Sequence, residues 1–228
     1  MPDGLQIIST SDGSHSLLNQ KLNETYHSTH GAIQESTHVF VKNGLQFWID
    51  ENKTTEVSIL EVGFGTGLNA LLALKESIDQ KIKIHYTSLE AFPVSVELAA
   101  ELNYPKQIDL PSSEKFFGQL HSATWNISVA ITPDFILEKR EGKIQEMILD
   151  EAVYDLVFFD AFAPSTQPEM WENAVLKKVV HSIKPNGVFV TYSAQGQLKR
   201  NLKLLGLLVE SLSGPPGKRE MVRGMKGS

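Results

Sequence analysis

Three stretches of this chain are apolar almost from end to end: VSILEV at 57–62, YDLVFF at 154–159 and VFVTY at 188–192. A strand with one wet face alternates apolar and polar residues, whereas these runs do not. They suit strands buried on both faces, the condition of a parallel sheet with helices on either side. Helical stretches follow them at 68–75, 170–183 and 195–205, and a further strand at 82–89 is followed by a helix near 94–102. The pattern predicts an α/β fold, Rossmann-like, with a mostly parallel sheet. Lys184-Pro-Asn-Gly reads as a turn. Residues 207–212 and 219–225 flank SGPPG and read as a closing antiparallel pair. Residues 103–150 look irregular apart from a strand pair near 126–130 and 134–139. Residues 1–52, polar and then aromatic at Phe40, Phe47 and Trp48, are expected to form a small N-terminal cap or lid on a main domain over 53–228.

The chain has no cysteine, which excludes disulfides, thiolate metal sites and a cysteine nucleophile. No apolar stretch approaches the roughly 20 residues of a membrane span. The start, MPDGLQIISTSDGSHS, has neither the basic opening nor the apolar run of a signal peptide, so a soluble cytoplasmic protein is expected. The net charge of −6 is unevenly spread. From Lys184 onward there are eight basic residues and two acids, so this end carries +6 and the remainder −12. A basic end on an acidic chain is either a footprint for a polyanion or a solvated surface.

Glu61-Val-Gly-Phe-Gly-Thr-Gly-Leu-Asn69 follows one predicted strand and opens a helix. Gly63, Gly65 and Gly67 permit a tight turn and close approach of backbone to a ligand, and the helix start offers amide donors. A dinucleotide fingerprint would place its third glycine where Leu68 stands, which speaks against a nicotinamide- or flavin-dependent oxidoreductase. The second notable segment is DAFAPSTQPEMW at 160–171, where a buried strand ends on Asp160 and the chain turns on two prolines. At the C-terminal end of a parallel strand a carboxylate either faces the ligand crevice or caps the following turn. Both readings stand on local sequence alone.

The glycine loop resembles motif I of class I S-adenosylmethionine-dependent methyltransferases, the E/D-x-G-x-G-x-G pattern. The resemblance implies that Glu61, Gly63, Gly65, Gly67 and Asn69 surround the amino-acid end of S-adenosylmethionine. It also implies that Glu90, in SLEAF, accepts hydrogen bonds from both ribose hydroxyls. DAFAPSTQPEMW is similar to a motif of the methyltransferase domain in the bifunctional tRNA 5-methylaminomethyl-2-thiouridine biosynthesis family. GSHS at 13–16, TYHSTHGAIQESTHVFVKNGL at 25–45, LEVGFGTGLN at 60–69 and GKREMVRG at 217–224 extend the likeness along almost the whole chain.

That resemblance implies methylation of the exocyclic amine of 5-aminomethyl-2-thiouridine at the tRNA wobble position. It makes Asp160 the base that aims and deprotonates the amine, with Phe162 flanking it and Pro164 in the wall. Lys218 and Arg219, with Arg223, are candidates to hold tRNA phosphates, and the alternation of Lys218, Glu220 and Val222 equally suits an edge strand with no ligand. Tyr26, His27 and Ser28 are placed as a lid. The chain has no room for the family's flavin-binding oxidase half, so a stand-alone form is expected, with separate enzymes supplying the aminomethyl intermediate. Two departures stand out: Gln167 replaces the usual Asn, and Gly142-Lys143 stands where a Gly-Asp pair would meet adenine, leaving no residue assigned there.

The missing cysteine agrees with an amine as the nucleophile, since ring-carbon methylation of a pyrimidine commonly needs a thiolate to add first. An alkylamine must lose its proton before it attacks, and its reference pKa is about 10.4. Close by in the sequence are His27, His30 and His38, but without a cysteine or a His-Glu-x-x-His pattern no metal is expected. Trp171 is expected in the core. The alternatives are a small-molecule amine methyltransferase, an oxidoreductase, or a non-catalytic tRNA-binding module.

Overall fold

The computed structural model describes residues 4–227. A small antiparallel sheet of β1 (Leu5–Ser9), β2 (His15–Asn19) and β3 (Glu24–Thr25) opens the chain. It leads into one continuous helical stretch made of α1 (Ala32–Ser36), a wider π-helical segment (Thr37–Gln46) and α2 (Phe47–Asn52). There follow β4 (Glu56–Val62), α3 (Leu68–Gln80), β5 (Lys83–Glu90), α4 (Val96–Ala100), α5 (Tyr104–Gln107), α6 (Ser113–Ser122) and the hairpin β6 (Ser128–Thr132)–β7 (Phe135–Glu141). The chain closes with β8 (Tyr154–Phe159), a 3-10 turn (Pro168–Trp171), α7 (Asn173–Ser182), β9 (Ile183–Thr191), α8 (Gly196–Leu204), β10 (Leu207–Ser213) and β11 (Glu220–Lys226).

The main sheet has eight strands in the order β10-β11-β9-β8-β4-β5-β7-β6. Pairings β9–β8, β8–β4, β4–β5 and β5–β7 are parallel, and the two outer pairs and β11–β9 are antiparallel. The apolar runs divide by side-chain parity, as strands buried on both faces must. Val57, Ile59, Leu156, Phe158, Val188 and Val190 enter one core with α3 and the helical stretch 32–52. Leu60, Val62, Val157, Phe159 and Phe189 enter the other with α7 and α8. The N-terminal helical stretch lies directly on the sheet, with Phe40 against Phe158 at 5.2 Å between ring centroids. Gly44 sits where a Cβ would come within 3.0 Å of Val190.

Several element expectations are corrected. The helix expected over 170–183 breaks at Glu172, whose backbone is extended at φ −64°, ψ 150°, so α7 starts at Asn173 after a separate 3-10 turn begun by Pro168. Lys184-Pro-Asn-Gly lies within β9 as a bulge: Tyr154 pairs Ile183 and Leu156 pairs Val188, and Asn186 takes φ 62° to absorb the extra residues. The helix near 94–102 is shortened to α4, begun where Ser95 accepts a hydrogen bond from the Leu98 amide at 3.2 Å. Residues 103–150 are more ordered than expected, because Phe117 and Leu120 give α6 an apolar face against α3. No helix among the described residues is long and apolar enough to cross a membrane.

The order of strands reverses direction between β4 and β8. Loops leaving the C-terminal ends of these two neighbours diverge to opposite faces and leave a crevice, the usual ligand position in such sheets.

Candidate active site

A cavity of about 1280 Å³ occupies that crevice. The strand ends contribute Gly63–Thr66 after β4, Glu90 at the end of β5, Asp160 after β8 and Tyr192 after β9. Residues 24–29 and Glu35 form the facing wall. The Tyr26 ring meets Phe162 edge-on at 4.9 Å, and Thr166 donates to Glu24 at 2.8 Å, so the N-terminal segment touches the loop that follows Asp160. On its other side His27 Nε2 lies 2.7 Å from Thr66 Oγ1 in the glycine loop.

Asp160 is fixed from three directions. Its amide donates to the Val62 carbonyl at 3.0 Å, and Asn69 Nδ2 donates to Oδ2 at 2.8 Å. The next two residues are clamped by Tyr192 Oη donating to the Ala161 carbonyl and Trp171 Nε1 donating to the Phe162 carbonyl, both at 2.8 Å. Loss of solvation raises the Asp160 pKa from 3.8 to about 7; Glu35 adds to the rise, while Asn69 and Lys218 oppose it. A carboxyl poised there exchanges protons readily at neutral pH. Glu35 is itself buried, accepts from the Ser28 amide at 2.7 Å and pairs with the Lys218 ammonium. That ammonium also lies 3.8 Å above the Tyr192 ring.

In the glycine loop Gly63, Gly65 and Gly67 take φ of 98°, 49° and 72°, conformations that side chains resist. A Cβ on Gly63 would fall 2.6 Å from the Asp160 carbonyl oxygen, and one on Gly67 2.7 Å from His121 Nε2. These two glycines therefore allow chain-to-chain packing, while Gly65 lies under the Tyr26 ring in the cavity wall. Glu90 Oε2 accepts from the Gly65 amide and Oε1 from the Phe92 amide, each at 2.9 Å, which holds the carboxylate at the cavity edge. Glu61 is buried beneath the loop; its Oε2 accepts from Ser88 Oγ at 2.6 Å, and burial raises its pKa to about 8. Its Oε1 and the neighbouring Asn69 Oδ1 are buried without a partner. Bare backbone at Gly65, a carboxylate at the edge and the unpartnered Asn69 Oδ1 in the wall fit a cofactor bearing an amino acid and a ribose.

Of the residues singled out from sequence, Gly63, Gly65, Asn69, Glu90, Asp160, Phe162 and Lys218 line this cavity. Glu61 and Gly67 lie behind the wall. Pro164 and Arg219 line an adjoining shallow groove that shares Ala163, Tyr192 and Lys218 with the main cavity. Trp171 is buried. Arg223 is engaged elsewhere, paired with Glu210 at 2.8 Å and stacked 3.5 Å from the Phe47 ring. The Gly142 amide donates to the Glu90 carbonyl at 2.9 Å, which brings Lys143 and Gln145 into the wall beside Glu90. His38 meets the Ser213 carbonyl and His30 lies against Gly217, so the three histidines point to different places. Burial lowers the His27 pKa to about 4, which keeps its imidazole neutral. Sequence reasoning missed Glu35 and Tyr192, because neither carries a local signal and each reaches the site only through distant partners.

The profile of the family described as S-adenosyl-L-methionine-dependent methyltransferase matches residues 121–227. A tRNA 5-methylaminomethyl-2-thiouridine biosynthesis bifunctional protein MnmC from Leptospira interrogans is 28% identical over 230 aligned positions, covering 91% of this chain and 33% of its own length. The protein of the same name from Idiomarina loihiensis is 30% identical, covering 88% of this chain and 35% of its own. The chain thus spans about a third of the length of the curated relatives it matches. The crystal structure of MNMC2 from Aquifex aeolicus superposes with a TM-score of 0.80 at 27% identity, over 99% of this chain and 71% of that one. The CurJ carbon methyltransferase shares the fold alone, with a TM-score of 0.51 at 12% identity over 89% of this chain and 57% of its own. Sequence and architecture agree: residues 121–227 match the S-adenosyl-L-methionine-dependent methyltransferase family, the fold is shared with MNMC2 from Aquifex aeolicus, and the likeness to the MnmC proteins runs over nearly the whole length of the chain.

Proposed function

We propose that this protein methylates the exocyclic amine of 5-aminomethyl-2-thiouridine at the wobble position of tRNA. The observation that carries the reading is Asp160, a cavity-lining carboxyl held by Asn69 at the switch point and set near neutrality by its surroundings. The relatives, tRNA 5-methylaminomethyl-2-thiouridine biosynthesis proteins, suggest the substrate class. S-adenosylmethionine, when bound, supplies an electrophilic methyl group on a positively charged sulfur. Gly63, Gly65, Asn69 and Glu90 are the residues that would hold it, with Glu61 and Gly67 supporting the loop from behind.

The substrate amine arrives as an ammonium and has to lose a proton. Glu24, Glu35, Glu90 and Asp160 line the cavity, and this acidic wall favours entry of a cation. Asp160 then accepts a hydrogen bond from the amine, directs its lone pair and takes the proton. Alignment contributes more than proton removal, as expected where the nucleophile is intrinsically strong. Tyr26 and Phe162 exclude water, and the described part of the N-terminal segment acts in this reading as a lid at residues 24–29, while its helical part is packed on the sheet as part of the main fold. In this reading the aminomethyl group is already in place on the tRNA before methyl transfer, its supply falling to a different active site, and a tRNA substrate fits a cytoplasmic setting.

The test is methyl transfer from labelled S-adenosylmethionine to tRNA lacking the final methyl group, with Asp160→Asn alongside. Label on the wobble nucleoside is expected, falling by roughly 100-fold or more in the variant with cofactor binding retained. Label on free small amines and none on any tRNA would overturn the substrate assignment.

A further inference from the structure

We infer that tRNA phosphates lie along a basic track beside the shallow groove, formed by Arg219, Arg200 and Lys203 rather than by Lys218 or Arg223. This deepens the tRNA reading and rests on it. Eight cations fall from Lys184 onward, but five of them have internal work. Lys184 pairs with Asp155, Lys199 with Glu220, Lys218 with Glu35 and Arg223 with Glu210, while Lys226 donates to the Val180 and Ile183 carbonyls. Arg200, Lys203 and Arg219 are exposed and have no ion-pair partner among the described residues.

Arg200 and Lys203 lie on α8 and Arg219 immediately precedes β11, two elements tied together at this edge. Arg219 and Gln195 line the same groove, and Gln195 immediately precedes α8. The Lys199–Glu220 bond of 2.6 Å ties the first turn of α8 to the start of β11, next to Arg219. Leu198 and Leu202 face inward from α8, which turns Arg200 outward, with Lys203 one turn further along. Glu220, the one carboxylate of the groove's lining, is taken up by Lys199.

The groove opens beside the acidic cavity through Ala163, Tyr192 and Lys218. The two charge signs match the two parts of the substrate: a cationic aminomethyl group enters the acidic cavity while anionic backbone follows the basic track. An overall charge of −6 is no obstacle, because phosphate contacts act within about 8–10 Å at physiological salt.

The test measures binding of unmethylated tRNA across a salt series for Arg200→Ala/Lys203→Ala/Arg219→Ala, with Lys115→Ala on α6, across the sheet, as control. The triple variant is expected to bind roughly tenfold or more weakly, with a log Kd against log salt slope shallower by about 2. S-adenosylmethionine affinity and melting temperature should match the wild type, which separates lost docking from lost folding. Wild-type affinity and slope in the triple variant, with tRNA still methylated, would sink the track and leave the function standing. A wild-type protein that neither binds nor methylates tRNA would remove both.

Discussion

Replacing Asp160 by Asn should make the protein more stable while disabling it. The folded chain holds this carboxyl proton up to about pH 7, whereas the unfolded chain releases it near 3.8. A raised carboxyl pKa contributes stability that is fully present below the unfolded value and is lost as pH rises through the folded one. At 1.36 kcal/mol per pH unit the difference is roughly 4 kcal/mol at full burial. The carboxyl borders a large cavity, and water there halves the figure to about 2 kcal/mol. An Asn carbonyl can still accept from Asn69 Nδ2, so that bond survives the substitution. Thermal unfolding of both proteins without ligand, from pH 4 to pH 8, is the assay. The variant's advantage should be near zero at pH 4, grow through pH 7 and level off, reaching about 4–8 °C for a domain of this size. No advantage at pH 8, or one that does not change with pH, would refute the assignment of a destabilised carboxyl.

Gly63→Ala should cost about 3 kcal/mol or more, since its Cβ would sit 2.6 Å from the Asp160 carbonyl at φ 98°. Urea unfolding and S-adenosylmethionine titration should both record the loss, and a variant with unchanged affinity would contradict the packing role. Lys139 has a different vulnerability. It is buried between the Trp125 and Phe64 rings, donates to the His121 carbonyl at 2.6 Å, and desolvation lowers its pKa from 10.5 to about 8. The penalty for a buried charge is complete below pH 8 and disappears as pH rises through 10.5. Lys139→Met should therefore compare best with wild type at pH 7 and lose ground by pH 10 in urea unfolding. A difference that stays constant would show that the lysine carries no such penalty.

Local chemistry made much of the fold legible in the sequence. Unbroken apolar runs require burial on both faces, and the glycine loop and Asp160 announce themselves through backbone freedom and strand-end position. Motif likeness also brought Glu90, Phe162 and Lys218 to attention. Elements whose limits depend on neighbours were harder. Lys184-Pro-Asn-Gly reads as a turn in isolation, but pairing with β8 carries the strand through it as a bulge. The basic C-terminal end was countable from composition, yet its division into paired and available charges was not. Lys218 meets Glu35 across 183 residues and Arg223 meets the Asn43 carbonyl across 180. Glu35 likewise looks like any acid on a helix until folding brings it to bear on Asp160. The sequence by itself determined the architecture, the loop and the strand-end position of Asp160. Which charges are consumed inside, and which way the site faces, only the tertiary structure decided, because those contacts join residues with no local relation.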